Sequence, residues 1–403
     1  MIEFRGKIKG DILISVLVFA AISVTMIIGL TNWGATLIMS ARMAVQSEQS
    51  FQIAEAGLNH YTDAVGDSGI SGQPSTFTHD FSDKDGKVIG AYSLLVVPPV
   101  IGSTKTIVTS KGIVPSGVTS PDGSTISRTV QAVMLVPTFA QYPLISTSTT
   151  DFSVLGSEVN QLQSIASSSG YYYSQSQHDD GSGDNIPAYG YHLVLNQDKT
   201  FTLYTVTALV LAPYGCSGTV TGWDTWSIQS QVFDGTYSLP AQGLIFFQDN
   251  VWVDGTLNGS RLTIVANNIT VNTDLIYTKY DGSDSLGLIA QNNINIGLMS
   301  SNDLHIDGAL LSENGRVGRY RYGSNCRIDG QDFSVRNSLT LNGSIATNKP
   351  YGFGYTDGSG YGTQNISYDE NLATDPPPYF PELMGADGSS GSYKMVLWRE
   401  LLH

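Results

Sequence analysis

The sequence predicts a mainly β protein with one long amino-terminal helix. In chain order it reads as a transmembrane and amphipathic helix, a small antiparallel β domain, and a carboxy-terminal parallel β-helix, or β-solenoid. Three observations carry that prediction. An uncharged apolar run, ILISVLVFAAISVTMIIGL, occupies Ile12–Leu30. Alternating β-branched and polar residues between Gly, Pro and Ser breaks fill the region that follows. A strand-Asn-strand unit then recurs between Gly243 and Asn348.

Composition sets the class before any element is placed. The 403 residues include 43 glycines and 21 tyrosines, and only 14% are charged, which suits a β-rich extracellular chain better than a charge-rich helical or disordered one. A chain of this length is expected to hold two or three domains. The net charge of −15 leaves no basic excess to displace counterions from a phosphate backbone, so nucleic acid is excluded as a partner. Cys216 and Cys326 fit no metal-ligand or redox spacing. In an oxidising compartment they are candidates for a disulfide, the alternative being two buried thiols.

The helix comes first. Residues 1–10, MIEFRGKIKG, form a basic leader with Arg5, Lys7 and Lys9. At a rise of roughly 1.5 Å per residue the apolar run behind it is long enough to cross the hydrocarbon core. Ile12, Leu13, Val16, Phe19, Ile22, Met26 and Leu30 are the expected membrane-anchoring residues. Positive charge on the short side predicts a cytoplasmic amino terminus, with the bulk of the chain extracellular or periplasmic. Pro is absent from Asn32 to Tyr61, and Gly is limited there to Gly34 and Gly57, so one helix is expected over 11–64. Ala44, Phe51 and Leu58 recur every seventh residue, with Glu48 and Glu55 beside them. Glu48, Phe51, Glu55 and Leu58 are therefore candidate subunit-packing residues, and a solvated helix face is the competing reading for the two glutamates.

The segment SEQSFQIAEAGLNHY at Ser47–Tyr61, with Ala54-Glu55-Ala56-Gly57 after a basic leader and an apolar span, resembles the amino-terminal domain of PilX-type minor pilins of type IV pili. The resemblance covers Gly10–Tyr61. It implies membrane insertion, packing against pilin-like subunits and incorporation into, or priming of, a pilus-like filament. It also implies processing after a glycine, for which Gly10 is the match, with a permanent single-pass anchor as the alternative. Asp11 stands where ordinary prepilins have an apolar aromatic residue. Ser15 stands where major pilins carry a glutamate, so the resemblance points to an accessory subunit.

Residues 65–138 read as a small β domain. Gly90–Val100, Thr104–Val114 and Ser124–Pro137 alternate β-branched with polar residues, with breaks at Pro98-Pro99, Ser116-Gly117 and Asp122-Gly123. Residues 139–242 form a β-rich connecting region. Within it the Tyr-rich, polar segment 167–185 is expected to be an exposed loop. His178, Asp179, Asp180 and Asp184 lie there, but their spacing lacks the alternating acids of a calcium loop, and no metal is expected.

Residues 243–348 hold the repeats. Asn250, Asn268, Asn293, Asn314 and Asn348 mark units at intervals of roughly 18 to 34 residues, compatible with coils of a solenoid. Asn and Gly are expected at turns with positive φ, with Asn amides laddering from coil to coil. An ordinary β-sandwich is the alternative. Residues 349–403 are expected to cap the open end, with the DPPPYFPELMG stretch wrapping it and YKMVLWRELLH forming a short docked helix.

Catalysis is not expected. Asp254, Asp274, Asp307 and Asp329, with Arg316, Arg319 and Arg321, are the candidates for a polysaccharide-active site. Three of those acids precede Gly, which is turn chemistry, and no nucleophile, zinc, phosphate or dinucleotide motif is present. No catalytic residue and no cofactor is assigned. Trp223 and Trp226 are candidates for stacking on a glycan or a partner protein, against a packed corner. The expected function is a minor pilin or pseudopilin-like subunit in pilus-like assembly or adhesion. A membrane-anchored β-helix adhesin outside any filament is the first alternative, and a surface polysaccharide-active enzyme the second.

Overall fold

The computed structural model describes residues 8–65, 75–114, 125–146, 152, 155–169, 171–179, 181, 185–212, 216, 225–323, 326–383 and 393–401. Among the sequence expectations, Trp223, Asp180, Asp184, Ser116-Gly117, Asp122-Gly123 and leader residues 1–7 lie outside the described residues, as does the side chain of Ile12.

Helix α1 runs unbroken over Ile8–Val65, so Gly10 is helical. Four strands follow: β1 (Ser75–Ser82), β2 (Val88–Val97), β3 (Thr106–Ile113) and β4 (Ser127–Leu135), paired antiparallel in chain order. Alternate residues of β2 and β3 point inward, as a half-buried sheet requires. Ile53, Ala54, Leu58 and Tyr61 of α1 pack on Tyr92, Leu94, Val96, Val108, Val130, Ala132 and Met134. The helix can lie this close because Gly112 has no side chain: a Cβ there would stand 2.0 Å from the Ser50 carbonyl oxygen.

The carboxy-terminal segment is a strand, Lys394–Leu401, not the expected short helix, and it pairs antiparallel with β4. So short a helix is marginal alone, whereas the free edge of β4 offers a full ladder of hydrogen bonds. Trp398 meets Phe51 edge-on, with ring centroids 5.9 Å apart. Arg128 stacks on the same Phe51 ring, pairs with Glu400 and donates to Ser47 Oγ at 2.8 Å.

The rest of the described chain is built mostly on parallel pairing. In order come β5 (Leu144–Ser146), helix α2 (Leu155–Ser169), β6 (Tyr172–Tyr173), the small hairpin β7 (Gln177–Asp179) and β8 (Asn185–Pro187), β9 (Gly190–Leu195), β10 (Thr200–Leu209) and β11 (Ile228–Ser238). Then follow β12 (Leu244–Phe247), β13 (Val251–Leu257), β14 (Arg261–Ala266), β15 (Ile269–Thr270), β16 (Leu275–Tyr277), β17 (Ser285–Ala290), β18 (Ile294–Ile296) and β19 (Asp303–Ser312). The series ends with β20 (Val317–Arg319), the two-residue pair β21 (Arg327–Ile328) and β22 (Gln331–Asp332), β23 (Val335–Thr347) and β24 (Gly360–Ser367).

Three parallel ladders organise them. The first joins β6, β12, β14, β17, the end of β19, the end of β23 and β5. The second joins β9, the start of β13, β15, β18 and β20. The third joins the end of β9, the end of β13, β16, the start of β19, the start of β23 and β24. Leu193, Val253, Ile264, Leu275, Leu288, Ile306, Leu310, Leu341 and Ile345 share the core between them. The pairing therefore extends beyond the expected 243–348, taking in β6 and β9 before it and β24 after it.

Asparagine stitches the turns. Asn268 Nδ2 donates to Asn250 Oδ1 at 2.9 Å, and Asn293 donates to Asn268 Oδ1 through its backbone at 3.1 Å. None of the repeat asparagines adopts positive φ; in this region that conformation falls to Asp329 and to glycines such as Gly255 and Gly308. The expectation of left-handed Asn turns is thus corrected: the amides act through their side chains.

Strands β12, β14 and β17 of the first ladder are buried on both faces, which their continuous apolar runs reflect. The ladder's outer residues Phe246, Val265, Ile289 and Leu311 are covered by Val159 and Leu162 of α2, Phe139, Leu372 and Phe380. The Pro-rich tail therefore lies along the side of the ladder instead of capping its end. It also meets the head, the unit formed by strands β1–β4 with the packed half of α1, since Tyr379 N donates to Gly102 O at 2.7 Å and Leu383 N to Pro137 O at 2.8 Å. The Tyr-rich segment is not a free loop: Tyr173 stacks on Phe247 at 4.9 Å.

Candidate functional site

Two surfaces carry functional potential, the first being the free part of α1. Leu13 (70% exposed), Phe19 (73%) and Met26 (67%) face outward, as do Val16, Ile22 and Leu30. This helix is long and apolar enough to cross a membrane. Exposing an apolar surface of this extent to water is unfavourable. The expected subunit-packing seam divides in two. Leu58 is buried in the chain's own head and Phe51 is held by Trp398 and Arg128, so both serve internal packing. Glu48 remains exposed. Glu55 is half-buried beside a cavity of about 320 Å³ lined with Leu58, Asn59, Met395 and Trp398.

The second surface is a polar row on the outside of the third ladder. Register places Asp254 next to Asp274, since Gly255 pairs with Leu275, and Asp274 next to His305, since Leu275 pairs with Ile306. Asp254 Oδ2 receives His192 Nε2 at 2.9 Å and Thr273 Oγ1 at 2.8 Å. Asp274 Oδ1 accepts the His305 backbone N–H at 2.9 Å. Asp307 is wholly buried and accepts from Tyr277 N at 2.8 Å and Tyr280 Oη at 2.9 Å, while its Oδ1 meets His305 Nε2 at 3.0 Å. Burial first, then the bond to Asp307, pushes the Tyr280 phenol up to about 12. Asp329 stands apart in the β21–β22 turn with a φ of 49°.

The arginines weighed with these acids lie elsewhere. Arg316 stacks over Tyr320 at 4.4 Å and Arg321 pairs with Asp357 at 2.6 Å. Arg319 is fully buried and donates to the carbonyls of Gly297, Leu298 and Phe333. No acid of the row is paired with any of them, and each acid bonds to neighbouring strands or turns. Among the described residues no group of three or more His, Cys, Asp or Glu could hold a metal ion.

Comparison with known proteins gives little. No protein-family model matches the sequence, and no curated protein does. One structural neighbour is a pilin. The crystal structure of the competence-associated pilin ComZ from Thermus thermophilus is 11% identical, with 89% of this chain and 98% of that chain covered and a TM-score of 0.29. A likeness that low carries no argument about this chain.

Aromatic groups near the polar row were not singled out in the sequence. His192 stacks on Tyr204 at 5.6 Å, and Tyr204 meets Phe233 edge-on at 5.7 Å, with Phe233 60% exposed. Alternation along β9 and β10 is the signal that puts His192 and Tyr204 on an outer face. Trp226, expected as a stacking surface, is instead 5% exposed and packs on Trp252 at 6.2 Å. Cys216 and Cys326 are bonded across 110 residues, with Cα atoms 4.4 Å apart, and are buried beside Leu298 and Tyr322.

Proposed function

We propose that this chain is a minor pilin or pseudopilin-like surface subunit of PilX type, anchored by α1 and taking part in pilus-like assembly or adhesion. The observation that supports it is the division of α1. Residues 50–61 are clasped by a β sheet, while Leu13–Val45 presents apolar side chains that need lipid or other helices around them. In this reading the anchor is inserted with its amino terminus in the cytoplasm and leaves lipid only against pilin-like neighbours. Ser15, in place of a glutamate, suits an accessory position, and Gly10 is the processing point. The three parallel ladders and their asparagine stitching support a parallel β-helix as the displayed cargo. Deleting the gene and imaging cells for filaments tests the reading: filaments should be lost or reduced, and unchanged filament number and length would reject assembly.

The aromatic-polar face around His192, Tyr204 and Phe233 favours a second reading, an adhesin for a glycan or protein surface that stays outside the filament. We propose no catalytic role for the acids of the polar row. New reducing or unsaturated ends after incubation with a polysaccharide panel would overturn that.

A further inference from the structure

A cavity of about 440 Å³ opens where three parts of the chain meet: the head loop at Gly102–Thr104, helix α2 and the Pro-rich tail. Its walls are unlike in character. Leu162, Ile165, Pro377 and Phe380 make one side apolar, while Glu158 and Glu382 bring two carboxyl groups. The chain supplies this joint with cations but directs them elsewhere. Lys105 Nζ lies 2.7 Å from Asp375 Oδ1 and Arg261 Nη1 lies 3.9 Å from the same oxygen. Among the described residues, neither Glu158 nor Glu382 has an ion pair.

At this cavity Glu158 Oε2 is buried and lacks a hydrogen-bond partner. Thr138 Oγ1, from a residue only 4% exposed that lines the same cavity, makes no bond of full geometry and meets only the Gln141 backbone N–H of its own capping box. An acceptor left unpaired at such depth costs on the order of 1–3 kcal/mol, which a bound donor would recover. Burial and the nearby Glu382 push the Glu158 carboxyl up to about 7, and burial raises Glu382 as well. A cation placed between the two carboxyls would favour their charged forms again. The volume exceeds what a bare ion needs and falls within the range of small organic ligands.

We propose that this cavity binds a primary ammonium group on an apolar stem, the chemistry shared by a free diamine and by a lysine side chain of a partner protein. The ammonium donates to Glu158, Glu382 and Thr138, and the methylene stem lies along Leu162, Ile165 and Phe380. Such a ligand would touch head, α2 and tail together, and so would fix the head against the parallel ladders.

The test is calorimetric titration of the full chain in detergent micelles at pH 8. One arm uses pentane-1,5-diamine, the other N-acetyl-lysine methylamide, with N-acetyl-norleucine methylamide as the uncharged control. Saturable binding is expected in at least one amine arm and none with norleucine. Glu158→Gln and Glu382→Gln should each weaken it by roughly tenfold or more, the size of a charge-assisted hydrogen bond. Binding of the diamine alone assigns a free amine, and binding of the lysine amide assigns a partner's lysine. Failure of both amines with the wild-type chain overturns the proposal. So does equal binding of the norleucine amide, or saturable calcium binding that Glu158→Gln removes while neither amine binds.

Discussion

The guanidinium carbon of Arg319 lies 4.8 Å from the ring centre of Tyr322, and both side chains are wholly buried. None of the arginine's hydrogen-bond partners is a carboxylate. It gathers the carbonyls of Gly297, Leu298 and Phe333 and the hydroxyl of Ser300, and burial lowers it to about 10. Arg319 thus replaces strand pairing where the chain leaves the second ladder. Arg319→Met should destabilise the protein by roughly 2 kcal/mol or more, since the Phe333 carbonyl loses its donor while those of Leu298 and Gly297 keep only Arg336 Nη2 at 3.2 Å and Ser300 N at 3.4 Å. Arg321→Ala, which removes an exposed pair with Asp357, should cost less than about 1 kcal/mol. Denaturant unfolding of both variants checks the contrast, and equal effects would refute the role given to Arg319.

The head rests on the absence of a side chain at Gly112. A Cβ there would meet the Ser50 carbonyl at 2.0 Å and the Ala54 backbone nitrogen at 2.6 Å. Neither is the end of a flexible side chain, so Gly112→Val must push α1 away from β3. A loss of about 1–3 kcal/mol is expected, together with faster proteolytic cutting of the helix–sheet junction. Gly34→Ala has open space around its added methyl and should leave unfolding and proteolysis unchanged.

The Cys216–Cys326 bond closes a loop spanning 110 residues, including most of the ladder strands. Cys216→Ser with Cys326→Ser should lower stability by roughly 2–4 kcal/mol, largely through the unfolded chain. Thermal unfolding with and without reductant gives the measurement. A wild-type midpoint insensitive to reductant, with the thiols shown to be free, would contradict the bond's contribution.

Legibility in the sequence followed the range of the interaction. Helix α1 was plain because an uncharged run and the lack of Pro are local properties. The asparagine units were legible because each turn needs one amide for the next, as Asn250, Asn268 and Asn293 show. Helix α2 also left a signal, Val159, Leu162 and Ala166 at helical spacing, in a region too polar for it to stand out. The carboxy-terminal strand was misread because Leu397, Trp398 and Leu401 suit either period. Asp254, Asp274 and Asp307 stand out in the sequence, but their alignment in one row with His192 and His305 does not. It depends on register between turns of unequal length: Thr263 sits on Leu244, but Ser344 on Ala309. The pairing of Glu158 with Glu382 needs the tail to cross the head, which no local pattern encodes.

Glu158 also gives stability a pH dependence opposite to that of a salt-bridged acid. Its carboxyl is raised to about 7 in the folded chain, first by burial and then by Glu382. An unfolded glutamate titrates near 4.3, so between these values the folded state holds the extra proton. Stability from this group is therefore complete below about pH 4.3 and is lost as pH rises through about 7. The loss is on the order of 1–3 kcal/mol, part of the full shift being screened at a partly exposed site. Glu382 is raised in the same direction and adds to the trend. Glu158→Gln should flatten the slope between pH 5 and 8 and leave the variant more stable than the wild type at pH 8. Denaturant midpoints at a series of pH values decide it: an unaltered slope in the variant would mean that Glu158 is not the group that titrates.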